Sequence, residues 1–185
     1  MVGSVEKAVL NEEATSSLIQ RNINIFTKSF LLTLCANLET CIKDVLYSIA
    51  MHYDAKLEET GIPLAVIDWR YNAKNKKNQN DDVLKKFKIG ITKKDVDDMV
   101  SGNVYKTRDA FLIFGIDLAC DCKRWETWKE IIQSIVTRRN NIVHHNDDAS
   151  DLSFGDIKDY IKCVDEYLDF IEAACGRLSS NLSDS

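Results

Sequence analysis

Proline is nearly absent from this sequence: Pro63 stands alone in 185 residues, and only seven glycines accompany it. A many-stranded sheet needs more turn-forming residues than that. With 45% hydrophobic and 29% charged residues, the composition favours a helical protein before any pattern is read. Excess positive charge is missing too. A net charge of −5 excludes a protein that coats nucleic acid through its overall charge, so contact with a phosphate backbone has to be local. No signal peptide and no apolar run able to span a bilayer are expected, and the chain is placed in the cytoplasm, away from membranes. Cys120-x-Cys122 lacks a second pair at zinc-binding spacing. The other cysteines (Cys35, Cys41, Cys163 and Cys175) fall in apolar helical patterns, as reduced thiols do, so neither a metal nor a cofactor is expected. A Gly-rich phosphate loop, a Ser or Cys nucleophile motif and internal repeats are also lacking, which removes NTPases and the common covalent hydrolases.

What is present is helical periodicity. Apolar residues recur at Ile19, Ile23, Phe26, Phe30, Leu34, Leu38, Ile42, Val45 and Ile49, steps of three or four that predict a long core helix from Leu18 to about Ala50. A second stripe runs through Trp125, Trp128, Ile132, Ile135, position 139 and Ile142. A third follows Ile157, Ile161, Val164, Leu168, Ile171, Cys175 and Leu178, with Ser153 and Asp156 as its cap. Between the first two, Gly61-Ile62-Pro63 predicts a stop and Asn72 to Asp82 a polar loop. Thr92 with Asp95 predicts a short helix toward Met99, ending at Ser101-Gly102-Asn103. Val104 to Leu118, with Gly115 inside it, fits helix or strand, and Asn146-Asp147-Asp148 marks a turn. The expected organisation is a flexible segment over 1–17, one helical domain over 18–178 and a flexible tail over 179–185.

The chemistry concentrates in Arg138-Arg139-Asn140-Asn141-Ile142-Val143-His144-His145. Arg139 falls on the apolar stripe, where an uncompensated charge costs several kcal/mol, of order 3–5. Either a carboxylate such as Glu39 pairs with it, or the guanidinium lines a wet cleft suited to a phosphate. Asn140 and His144 share a helix face if the helix persists that far. These residue types suit RNA cleavage without a metal. In that reaction the 2′-hydroxyl attacks the adjacent phosphorus; histidine transfers a proton, arginine stabilises the phosphorane, and asparagine orients the histidine or donates to phosphate. Arg and His near a helix end are equally consistent with a simple interaction with the helix dipole. His52 is remote and is expected to be structural or exposed.

Arg139-Asn140 with His144 resembles the Arg-x(4 to 6)-His motif of ribonucleases in the HEPN superfamily, where a polar residue commonly follows the arginine. The flanking Trp125, Trp128 and Ile142-Val143 resemble the usual helix, and the RiboL-PSP-HEPN and MAE_28990-like groups are the kinds it looks like. The resemblance is strongest over 125–145, and Asn72 to Leu118 has no counterpart. Glu39 and Lys43 resemble a Glu-x(3)-Lys feature of some HEPN proteins, although a surface ion pair four residues apart reads the same way. His145 also satisfies the spacing, as does Arg138 to either histidine, so these two are secondary candidates.

The resemblance implies an all-α, HEPN-like bundle of long antiparallel helices with an irregular helical and loop insertion in the middle. It implies a metal-independent endoribonuclease in a toxin–antitoxin, stress or antiviral defence setting, working as a homodimer with a shared cleft and open to control by an antitoxin or regulatory protein. The alternative is a non-catalytic HEPN-like module that binds RNA or a protein partner. Lys74, Lys76, Lys77, Lys85, Lys86, Lys88, Lys93 and Lys94, against Asp81 and Asp82, form a local basic segment. It is either an RNA landing surface or an ordinary solvated loop, since only Phe87 interleaves it for stacking.

Overall fold

The computed structural model describes residues 22–63, 66, 90–145, 149 and 151–183. The Asn72–Asp82 loop, the Asn146-Asp147-Asp148 turn and the 1–17 segment lie outside these. Five α-helices and no strand occur among the described residues: α1 (Ile23–Thr60), α2 (Lys93–Met99), α3 (Val104–Ile113), α4 (Cys122–His145) and α5 (Phe154–Ser183), with a 3-10 turn at Leu118–Cys120 before α4.

Each boundary has a local cause. Gly61 ends α1 in the left-handed region at φ 64°, its N–H donating to the Glu58 carbonyl at 3.2 Å. Thr92 and Asp95 close a reciprocal cap at the start of α2. Asn103, expected at the end of that helix, instead starts the next one: its side chain accepts from the Tyr105 and Lys106 amides. The ambiguous Val104–Leu118 stretch is helical up to Ile113, and Gly115 at φ 76° lets the chain turn back. Asp156 Oδ2 accepts from the Ser153 amide and hydroxyl, both at 2.7 Å, and caps α5 as the sequence implied.

Side-chain contacts give the helix directions. Asn24 Oδ1, at the start of α1, accepts from the Ala149 amide between α4 and α5 at 3.0 Å. Near the other end of α1, the Tyr53 hydroxyl donates to the Phe114 carbonyl at 3.2 Å, close to where α4 begins. Helix α4 is therefore antiparallel to α1, and α5 returns alongside α1, with Phe30 and Phe154 edge to face at 6.1 Å. Helix α2 packs against α1 and α3, and α3 packs against α1 and α4.

The inward faces are rotated slightly from those expected. In α1 the buried row is Thr27, Leu31, Cys35, Leu38, Ile42, Leu46 and Ala50, whereas Phe26 and Phe30 are 36% and 49% exposed. In α5, Tyr167, Phe170 and Ala174 are buried, while Ile161 is 50% exposed and Leu168 and Cys175 only partly covered. Both helices are apolar on two adjacent rows, and the packing partner decides which row turns inward. The same surplus of apolar side chains means that α1 contains an 18-residue window of hydropathy 1.3, long and apolar enough by composition to cross a membrane. This corrects the expectation that no such run exists. Of that window 28% is buried, and the buried row of α1 packs against α4 and α5.

Candidate active site

Helix α4 begins where Asp121 accepts from the Arg124 amide at 3.2 Å and, through its carbonyl, from the Trp125 amide at 2.9 Å. With neither Gly nor Pro along it, the helix continues to His145, so the four-residue spacing of Asn140 and His144 is realised as one helix face. Its inward stripe is buried at Trp125, Ile132, Ile135, Val136 and Ile142. Arg139 lies on that stripe and is partly buried; Val143, one turn later, is 49% exposed. The stripe continues beyond it to Ile142, buried at 6%, so Arg139 is a partly buried cation between buried neighbours, close enough to α1 to act on Cys35.

Arg139 Nη1 donates to Asn140 Oδ1 at 2.9 Å, and Nε is buried without a hydrogen-bond partner among the described residues. Glu39, the carboxylate expected as its partner, binds Lys43 at 2.8 Å, and Lys43 also lies 3.6 Å from Asp97. No other described carboxylate lies within ion-pair distance of Arg139. Cys35 marks where the guanidinium projects: burial pushes its thiol up to about 11, opposed by the Arg139 charge and reinforced by Glu39. A partly buried cation whose one bond goes to a neutral amide is electrostatically unfinished. An incoming anion would complete it.

His144 and His145 are exposed on the last turn, and neither makes a hydrogen bond or ion pair with a described residue. At about 100° per residue, His144 lies about 140° around the helix from Arg139 but only about 40° from Asn140. The bond from Arg139 therefore draws the guanidinium toward the side on which His144 stands. It also fixes the amide: with Oδ1 occupied, the Asn140 NH2 group points away as a donor. Asn140 thus bonds to the arginine and stands on the helix face of the histidine.

A family model described as RiboL-PSP-HEPN matches residues 5–176, a span that includes the whole of α1 to α4 and most of α5. The chain belongs to the RiboL-PSP-HEPN family. No curated protein and no solved structure matches it. The helical bundle and the terminal position of the motif on α4 fit a HEPN domain.

The remaining candidates of this HEPN chain fall in separate places. Arg138 pairs with Asp151 and ties α4 to the segment before α5. Glu39 and Lys43, both half-buried, pair with each other, and the bond that Lys43 donates to Glu39 holds the lysine above its ordinary range. Of the basic segment, Lys93 binds Asp44 at 3.0 Å and Lys94 is exposed, while Lys74, Lys76, Lys77, Lys85, Lys86 and Lys88 lie outside the described residues. His52 is exposed, and its ring meets Tyr53 edge to face. Among the described residues no group of three or more His, Cys, Asp or Glu is placed to hold a metal ion.

Sequence reasoning missed an open groove of about 460 Å³ on the outward side of α4, lined by Tyr105, Lys129, Glu130, Gln133, Ser134, Thr137, Arg138 and Asn141. A signal for it exists. Gln133, Thr137 and Asn141 are uncharged polar residues four apart, on the helix face opposite the apolar stripe.

Proposed function

We propose that this HEPN protein is an endoribonuclease that cleaves RNA by attack of a ribose 2′-hydroxyl on the adjacent phosphorus. The observation that carries the reading is Arg139, whose partly buried guanidinium bonds to a neutral amide rather than to a described carboxylate, five residues before the exposed His144. A structural arginine at a core position is normally matched by a carboxylate; one that awaits a phosphate is not. In the reaction, His144 removes the 2′-hydroxyl proton or delivers a proton to the departing 5′-oxygen, leaving a 2′,3′-cyclic phosphate and a 5′-hydroxyl. Arg139 stabilises charge on the non-bridging oxygens, and the Asn140 amide holds the phosphate in register. These groups supply proton transfer and charge stabilisation from side chains alone.

In a concerted in-line displacement the base serves the 2′-hydroxyl while the acid serves the 5′-oxygen on the opposite side of the phosphorus, and one imidazole does not reach both at once. We therefore place two protomers around one cleft, so that each contributes an Arg139 and a His144. The exposed Ile25, Phe26, Phe30 and Val143 near this end offer apolar surface for that pairing. A cytoplasmic role in defence, stress or toxin–antitoxin control, with a regulatory protein to restrain the activity, fits such an enzyme.

The test is cleavage of labelled structured and single-stranded RNAs in the presence of EDTA, comparing wild type with His144→Ala at matched thermal stability. Cleavage ending in a cyclic phosphate by the wild type, and none by the variant, is the expected result. Undiminished cleavage by His144→Ala would overturn the assignment.

A further inference from the structure

The groove on α4 lies on the outward face, the one from which His144 projects about three turns further on. Gln133, Thr137 and Asn141 run along its floor at one-turn intervals, and Tyr105 of α3 forms an aromatic wall. The Tyr105 ring is 49% exposed and is braced edge-on against the buried Trp125 at 6.4 Å, so its orientation is set while one flank stays open. Lys129 and Arg138 stand toward opposite ends, paired with the exposed Glu126 and Asp151. Surface pairs of this kind are weak and exchange readily for a phosphate. Gln133 is more specific: its Nε2 donates to Thr137 Oγ1 at 3.3 Å, while Oε1 is buried and has no partner among the described residues. Gln133 is half-buried and lines the groove, so a turn of its side chain brings this covered, unmet acceptor to a bound base. Glu130 provides a second acceptor there, which suits the edge of a base and repels a phosphate.

We infer that this groove binds a segment of single-stranded RNA, with a base stacked on Tyr105, its amino edge read by Gln133 and Glu130, and flanking phosphates drawn to Lys129 and Arg138. This rests on the ribonuclease reading of Arg139 and His144 and assigns that site its approach path and base preference. The geometry is continuous. Gln133, Thr137 and His144 fall within about 40° of one another around α4, and His144 lies about 16 Å beyond Gln133 along the axis. The groove volume also lies within the range of small-ligand sites, roughly 300–1,000 Å³.

Fluorescence anisotropy with short labelled oligo(A), oligo(C) and oligo(U) tests the inference on the full chain carrying His144→Ala, which prevents cleavage during the measurement. Adding Tyr105→Leu, which keeps bulk against Trp125 but removes the aromatic face, is expected to weaken binding about tenfold, whereas Tyr105→Phe stays within about twofold. Gln133→Leu is expected to lower affinity for oligo(A) and oligo(C), whose bases carry exocyclic amines, relative to oligo(U), whose base has none. Absence of binding by the parent overturns the inference. So does unchanged affinity in Tyr105→Leu with a native melting transition; the groove would then serve another occupant, such as a protein segment. Cleavage is read separately in chains with His144 intact. Tyr105-dependent binding without any cleavage by the wild type refutes the enzyme while leaving the groove, and cleavage with Tyr105-independent binding does the reverse.

Discussion

Replacing Arg139 with leucine separates a catalytic arginine from a structural one, because the two roles predict opposite changes in stability. The substitution keeps an apolar stem on the inward stripe of α4 and removes the charge. It gives up the 2.9 Å bond to Asn140 Oδ1 and relieves a buried Nε that has no partner among the described residues. A hydrogen bond from a charged group contributes about 1.5–3 kcal/mol, and an unsatisfied buried donor costs about 1–3 kcal/mol, so these two roughly cancel. What remains is the desolvation of a partly buried charge that has no described carboxylate beside it. Removing that burden should stabilise the protein by about 1–2 kcal/mol, by analogy with buried charges replaced by apolar side chains. For a domain of this size the melting temperature should rise by about 3–5 °C. Cleavage, in contrast, should fall by at least about 100-fold, the usual effect of removing a group that stabilises charge in the transition state. Thermal and urea unfolding, set beside the EDTA cleavage assay, measure both quantities on the same preparation. A loss of about 3 kcal/mol or more in Arg139→Leu would show that the guanidinium completes a structural charge pair. The HEPN fold would then act as a non-catalytic interaction module, and Arg139 would have no phosphate to stabilise.

Tyr167 is fully buried and its hydroxyl lacks a partner among the described residues, so Tyr167→Phe should leave stability unchanged or raise it by up to about 2 kcal/mol in urea titration. Asp95 and Asp156 are held below their ordinary carboxylate value of 3.8 by bonds from Thr92 and Ser153. A carboxylate depressed in the folded state contributes stability that is present above its unfolded pKa and is lost as pH falls through the folded one. The wild type should therefore lose stability below about pH 4, and an Asp95→Asn/Asp156→Asn variant should show a flatter acid limb in melting curves. Cys35 is buried and its thiol is pushed up to about 11, whereas Cys41, Cys120 and Cys122 are exposed. At pH 8, iodoacetamide followed by mass spectrometry should label those three well before Cys35, and early modification of Cys35 would contradict its place in the buried row of α1.

The reliable sequence signals were those set by local chemistry. Gly61 stops α1 because only a residue tolerant of positive φ caps it cheaply, and Thr92 with Asp95 or Ser153 with Asp156 bind amides three residues away, so each is legible in a few letters. The inward face of each helix was read less well. In α1 the sequence offered Phe26–Phe30–Leu34 and Thr27–Leu31–Cys35 as adjacent rows, and hydrophobicity favoured the phenylalanines. The second row was buried instead because Thr27 satisfies its hydroxyl on the Ile23 carbonyl and sits against Ala149. Nothing in the linear pattern announces a contact between residues 122 positions apart.

By itself, then, the sequence determined that this is a helical protein, where its helices are capped and that Arg139, Asn140 and His144 lie near the end of one of them, because periodicity and capping act over four residues or fewer. Only the tertiary structure decided that Glu39 belongs to Lys43 and not to Arg139, that Val143 faces solvent while Ile142 beside it is buried, and that Tyr105 stands across a groove from Gln133. Those are consequences of which helix packs against which, and so of contacts between residues far apart in the chain.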